Sequence, residues 1–282
     1  SLRELFESPE SIAATCDLDL KRIAFLTCRG GWPQASLLSK NEDIALDQAI
    51  DYYDAVVNSD IQRVDGVDRD PERVKRLMRS YARYQGSQSS FAEIGKDMTA
   101  NEHGGLDENT ISSYLNALRK IFVVEDMRAW NPNLRSKTAI RTTDTSYFVD
   151  PSIATAALGL GPDDLMHDLE TFGLIFETLC VRDLRVFAQA LDGEVYHYRD
   201  KNGLECDAVV HLRNGSYGLI EIKLGGDKLI EEGSKTLNTL ASKIDTNRMK
   251  NPSFLMILTA VGDFAYRRQD GVYVVPIGCL KD

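Results

Sequence analysis

The sequence predicts a mixed α+β / α/β protein, helical through its first half and ordered αβββαβ in its second. Three observations carry that expectation. Capped, helix-periodic segments occupy most of residues 1–121. The stretch "GLECDAVVHLRNGSYGLIEIKLGG", residues 203–226, holds two runs of period-2 alternation around Asn214-Gly215, the strongest short-range hairpin signal. An amphipathic helical pattern stands on either side of that hairpin.

Residues 1–60 read as helical with one break at Arg29-Gly30-Gly31-Trp32-Pro33, where glycines suit a helix end and proline a restart. The stretch 42–60 is amphipathic through Ile44, Ala45, Ala49, Tyr52, Tyr53 and Val56. This segment is too small for a complete domain. In residues 61–150, Asp70-Pro71-Glu72 starts a helix with a cap, a proline in the first turn and an acid near the positive end of the dipole. That helix runs to about Tyr84. A short one follows at Phe91–Met98, and a third from Asp107 to about Ile121. Strand-like runs Phe122–Ala129 and Thr138–Val149 come next. Three helices and a β-wing is the order of a winged helix-turn-helix domain, whose third helix can enter a major groove. The residues that would face outward there are Asn109, Thr110, Ser112, Ser113 and Asn116, with Arg119 and Lys120 at the end. Winged-helix domains also serve purely as protein contacts, and a protein partner stays open beside DNA or another nucleic acid.

Residues 151–282 change character. A helix at 151–158 ends at Gly159, and Gly161-Pro162 restarts one that reaches about Leu191 with one bend. Strand runs at 194–199, 204–212 and 216–224 precede a helix at 228–244 and strands Phe254–Ala260 and Gly271–Ile277. Matching faces sets the hairpin register, because a slip of one residue turns a strand over. A three-residue loop, Arg213-Asn214-Gly215, with Gly215 left-handed, pairs Leu212 with Ser216. Asp207 then faces Glu221, and Glu205 faces Lys223. Two carboxylates across a ladder repel, so a hard divalent cation or a neighbouring ammonium should compensate. Glu177, in a helix with Gly173, Leu174, Cys180, Val181 and Leu184 as its helical neighbours, also needs a partner. Packed across the hairpin, it would join Asp207 and Glu221. Three carboxylates and Lys223 make the composition of a metal-dependent phosphodiesterase site, with Mg²⁺ or Mn²⁺ held by Asp207 and Glu221 and the lysine acting on the attacking water.

The αβββαβ order, with Glu177 on the first helix, Asp207 on the second strand and Glu221-Ile222-Lys223 on the third, resembles the PD-(D/E)XK nuclease-like superfamily. The resemblance covers about residues 162–260 and implies catalytic roles for Glu177, Asp207, Glu221 and Lys223. A wider resemblance rests on "RGGWP", "FVVEDMRAWNPNLRSK", "YFVDPS", "FGLIFETLCVRDLRVFA", "VYHYRDKNGLECDAVV" and "GLIEIKLGG". Nearly the whole chain looks like the C-terminal region of prokaryotic AAA-type ATPases that end in a domain of unknown function. It implies that 1–60 is the end of the ATPase lid, 61–150 a winged helix and 151–282 the nuclease-like domain. No GxxxxGK[ST] is present, so ATP is expected only through an N-terminal domain absent from this chain. The start at Ser1, without methionine, fits the expectation of a piece of a longer protein.

Composition narrows the classes further. The 282 residues are 43% hydrophobic and 27% charged, with a net charge of −10, against a generic nucleic-acid coat. Residues 61–150 hold 14 basic and 13 acidic side chains; only this third could offer a basic surface unaided. No apolar run of about 18 residues occurs, so no membrane partner is expected. Five cysteines without CxxC spacing suit reduced thiols in a cytoplasmic protein and no zinc site. Two functions remain: a metal-dependent nuclease, or a nuclease fold kept as a non-catalytic binding module of an ATPase.

Overall fold

The hairpin at Asn214-Gly215 closes as its chemistry demands. In the computed structural model, which describes residues 1–9, 12–38, 41–88, 91–99, 107–132 and 143–282, Gly215 has φ +82°. Its N–H donates to the Leu212 carbonyl, and Leu212 N–H donates to the Ser216 carbonyl 2.8 Å away. This is the three-residue loop with a left-handed glycine.

The helices are α1 (Leu2–Glu7), α2 (Leu20–Arg29), α3 (Pro33–Leu37), α4 (Glu42–Ala55), α5 (Ile61–Arg63), α6 (Pro71–Arg83), α7 (Phe91–Met98), α8 (Glu108–Lys120), α9 (Pro151–Leu158), α10 (Pro162–His167), α11 (Leu169–Gln189) and α12 (Asp227–Lys243). The strands are β1 (Gly193–Arg199), β2 (Glu205–Leu212), β3 (Tyr217–Lys223), β4 (Phe254–Thr259), β5 (Tyr266–Arg267) and β6 (Tyr273–Pro276). From α11 to β4 the order is the expected αβββαβ, and the whole is a mixed α and β architecture.

The chain divides into two units, each discontinuous in sequence. One comprises Ser1–Ile23, Met127–Asp144 and Leu179–Asp282, the other Ala24–Asp126 and Thr145–Thr178. The first contains a six-stranded mixed sheet ordered β1-β2-β3-β4-β6-β5. Its β1–β2–β3 meander is antiparallel, whereas β3–β4 and β4–β6 are parallel, the first pair joined through α12. Parallel pairing needs such a crossover, which covers one face of the sheet. Val209, Tyr217, Leu219, Ile257, Val272 and Val274 pack there with Ile230, Leu237 and Leu240 of α12. Each such fully buried aliphatic side chain contributes about 1.5–3 kcal/mol. Gly218 allows the Phe254 ring to lie directly against β3.

Residues 14–16 of this unit depart from the helical expectation for 1–60. Cys16 N–H donates to the Asp263 carbonyl, and Ala265 N–H to the Ala14 carbonyl, so this stretch is extended and paired. A helix there would forfeit those inter-segment bonds.

In the second unit, α6 starts on the Asp70 cap and α8 on the Asp107 cap, as their sequences predict. α7 packs against both. The strand run expected over Phe122–Ala129 is not regular. Phe122 has φ +57° and ends α8: its N–H donates to the Arg119 carbonyl and that of Val123 to the Leu118 carbonyl. This pair of bonds is a Schellman cap made with phenylalanine in place of the usual glycine. Beyond it, Val124 forms an antiparallel bridge with Phe148, flanked by Glu125 N–H to the Tyr147 carbonyl and Val149 N–H to the Val123 carbonyl. Among the described residues the expected wing therefore shows isolated bridges in place of regular strands; part of the run Thr138–Val149 lies outside them.

Candidate functional site

Continuing the β2–β3 register, Ala208 opposite Ile220 and Val209 opposite Leu219, sets Asp207 opposite Glu221. Both carboxylates reach the same ammonium. Lys223 Nζ lies 3.0 Å from Asp207 Oδ2 and 2.8 Å from Glu221 Oε2. The side chains of Asp207, Glu221 and Lys223 are 20%, 6% and 23% exposed, so the cluster is buried at Glu221 and opens toward solvent at the other two. Asp207 Oδ2 also accepts from the Ile222 N–H at 2.7 Å, which locks that carboxylate onto β3.

Glu221 shares the sheet face of Tyr217 and Leu219, beneath α12. Gly233 of α12 lies over it: a β-carbon added at Gly233 would stand 3.4 Å from Glu221 Cβ. Burial raises the Glu221 carboxyl well above its ordinary range, and the Asp207 charge raises it further against the pull of Lys223. Burial alone would lower Lys223, but Asp207 and Glu221 outweigh it and hold the ammonium protonated. Two carboxylates and one ammonium leave a net charge of −1 when all three are ionised.

The donor set suits a hard cation. Mg²⁺ is commonly held by one or two carboxylates with water and substrate oxygens completing its shell. Asp207 and Glu221 supply two such carboxylates at one point. Among the described residues no group of three or more His, Cys, Asp or Glu side chains converges, so protein ligands here would number two carboxylates.

Glu177 lies in the first half of α11, in the second unit, and its carboxylate accepts from the Tyr147 hydroxyl. Gly86, at φ +68°, lies against the same carboxylate. Glu205, which the same register sets opposite Lys223, makes its ion pair on the other side of β2, with Arg199 of β1 at 3.0 Å.

On α8, Asn109, Ser113, Asn116 and Lys120 form an exposed stripe and Ser112 is half-buried. Arg119 Nε donates to Asp126 Oδ2 at 2.9 Å and its Nη1 to Asn116 Oδ1. The Ser113 hydroxyl accepts from the buried Arg69.

Two features of the carboxylate site were not singled out from sequence. The Ile222 amide as the anchor of Asp207 has no side-chain signal. Gly233 does have one, a glycine in the middle of an amphipathic helix, which commonly marks a close approach.

A family model described as Domain of unknown function (DUF8612) matches residues 20–164, just over half of the chain. The chain belongs to the DUF8612 family. This DUF8612 protein also matches, over residues 172–280, a model described as Domain of unknown function (DUF4143), a domain found at the C-terminus of AAA-type ATPases. Asp207, Glu221 and Lys223 all fall in that second match. A comparison with curated proteins found no match. No helix among the described residues is long and apolar enough to cross a membrane, and all five cysteines are free thiols.

Proposed function

We propose that the DUF4143-matching region carries a divalent-metal-dependent phosphodiesterase site acting on nucleic acid, at the C-terminal end of an AAA-type ATPase. One observation carries this reading: two carboxylates from adjacent strands converge on one lysine at a partly open point of the sheet. A bound Mg²⁺ or Mn²⁺ would lower the pKa of a coordinated water and offset the charge of a phosphoryl group. Asp207 and Glu221 would hold that ion. The Ile222 amide keeps Asp207 aimed at the site, α12 excludes water from behind Glu221, and Lys223 is placed to orient a phosphate oxygen or the attacking water. Glu177 is engaged by Tyr147 and takes no catalytic part in this proposal.

In the same proposal, residues 61–150 act as a winged helix, with Asn109, Ser112, Ser113 and Lys120 as its nucleic-acid face. ATP acts through a separate P-loop domain, and the free thiols fit a cytoplasmic setting. Incubation of labelled DNA and RNA with the protein and Mg²⁺ or Mn²⁺ tests the enzyme reading. Cleavage should require metal and disappear in Asp207→Asn and Glu221→Gln. Absence of cleavage on every substrate, with no metal-induced rise in melting temperature, would overturn it.

A second reading has its own observation. Lys223 already satisfies both carboxylates, which favours a closed, non-catalytic scaffold used for binding. In that case metals leave the melting temperature unchanged and Lys223→Ala is the most destabilising of the three substitutions.

A further inference from the structure

Away from the carboxylate cluster, the DUF8612-matching part of the chain contains a cavity of about 300 Å³ between α4, α9 and the start of α10. Its lining includes Leu46 and Ile50 of α4, Ala156 of α9, and Leu160 and Pro162 beyond it, with Cys28 of α2 at its floor. That volume stands at the small end of ligand pockets, roughly 300–1,000 Å³. No lining residue is charged. Ser152 and Thr155, the hydroxyls in the lining, are spent inside the fold. Ser152 Oγ accepts from the Trp32 indole and donates to Asp150, and Thr155 donates to the Ser152 carbonyl. The interior therefore offers contact and no specific polar recognition.

The mouth is different. Ile50 is 48% exposed at its edge. The helices that frame it, α4, α9 and α10, carry Glu42, Asp43, Asp47, Asp51, Asp54, Asp163 and Asp164 and no lysine or arginine. Asp43, Asp47 and Asp163 are exposed to solvent. α2, which contributes Cys28, carries Lys21, Arg22 and Arg29; neither these nor the acids line the cavity itself, and acids outnumber bases on the surrounding helices. Helical spacing puts Asp43 and Asp47 beside the Leu46–Ile50 edge, on the solvent side of α4. An apolar slot framed by carboxylates complements one kind of partner.

We propose that this slot receives a basic amphipathic helix of a partner protein, one bulky apolar side chain seated between Ile50 and Ala156 and its lysines or arginines facing the carboxylates of α4 and α10. This is the helix-in-groove mode of recognition, in which apolar anchors at i, i+3 and i+4 give affinity. The surrounding charges set partner choice and association rate more than strength. The acidic character of residues 1–60, with 11 acidic against 5 basic side chains, then has a use of its own, separate from any nucleic-acid surface.

Fluorescence anisotropy with a labelled helical Leu/Lys peptide tests the proposal on the full chain, against a Leu/Glu peptide of the same pattern and a Lys peptide without leucine. The Leu/Lys peptide should bind, about tenfold or more tighter than either control, and should weaken as salt screens the carboxylates. Ala156→Phe, which fills the slot, and Ile50→Glu, at an exposed position, should each lower affinity about tenfold or more. Circular dichroism and melting temperature establish that Ile50→Glu folds even if Ala156→Phe does not. Binding that ignores Ile50→Glu would reduce the slot to general charge attraction and overturn the proposal. So would no binding at low salt, or self-association of the wild type that Ile50→Glu abolishes, which would make the occupant a second copy of this chain.

Discussion

Asp207 and Glu221 share a single counter-ion: Lys223 Nζ stands within 3.0 Å of one and 2.8 Å of the other. Opposed carboxylates on a ladder repel, and the ammonium supplied by β3 offsets half of their charge. The remaining negative charge is left at a point where Asp207 and Lys223 are still about one-fifth exposed. A proton or a bound cation would offset that charge.

Asp207→Asn separates these two outcomes. The asparagine oxygen can keep accepting from the Ile222 amide, while the Glu221–Lys223 pair becomes neutral as a unit. The metal-free variant should therefore be more stable than wild type by about 0.5–2 kcal/mol in urea unfolding. The same variant should lose any Mn²⁺-dependent rise in melting temperature that the wild type shows. A less stable Asp207→Asn, with a wild type indifferent to metal, would mark a structural ion triad.

Glu221 predicts a pH dependence. Its folded carboxyl sits well above the unfolded value of 4.5, through burial first and Asp207 second. Between those two values the folded protein holds a proton that the unfolded chain has released. Stability of the metal-free protein therefore falls as pH rises from near 4.5 into the neutral range, by about 1–3 kcal/mol in total. The Lys223 ammonium gives up its proton only above the ordinary lysine range and does not contribute in this window. Chemical denaturation at several pH values should show this slope in wild type and a flatter one in Glu221→Gln; equal slopes would refute it.

His197 adds a slope of opposite sign. Burial pushes it down to about 4, so the folded state keeps the ring neutral. Stability should then drop as pH falls from 6.5 toward 4, where the unfolded chain takes up a proton and the folded one does not. His197→Asn should remove that acid-limb loss, seen as a smaller difference in melting temperature between pH 6.5 and pH 4.

Arg119 and Lys120 give different expectations at the end of α8. Arg119 is tied to Asp126, so Arg119→Glu should lower stability by about 1–3 kcal/mol whatever the partner. Lys120 is exposed, and Lys120→Glu should leave the melting temperature unchanged while weakening duplex binding and reducing its salt dependence. Duplex affinity insensitive to Lys120→Glu would remove α8 from the contact surface.

Gly218→Ala tests the packing behind the site. A β-carbon there would fall 2.1 Å from the Phe254 ring, so the ring or the strands must move. The expected cost is about 1–3 kcal/mol. Phe254→Leu in the same chain should recover part of it, because the two positions share one contact.

The amino-acid sequence by itself determined the local pieces. Asp70-Pro71 and Asp107 specified the starts of α6 and α8, because a cap and a first-turn proline act within four residues of themselves. Asn214-Gly215 and the alternating faces specified the loop and, with it, the opposition of Asp207 to Glu221, because a two-period pattern leaves one register that buries both faces correctly. Tertiary structure decided the rest. The choice of Lys223 for both carboxylates and of Arg199 for Glu205 depends on β2 lying between β1 and β3. The run from Phe122 begins as a helix cap and not as a strand, because Phe122 closes α8 in a left-handed turn, using carbonyls of the helix itself. Glu177 met Tyr147, and residues 14–16 paired with 263–265, through contacts separated by 30 residues in one case and about 250 in the other. Periodicity reports which face of an element is buried; it carries no record of what the rest of the chain places against that face.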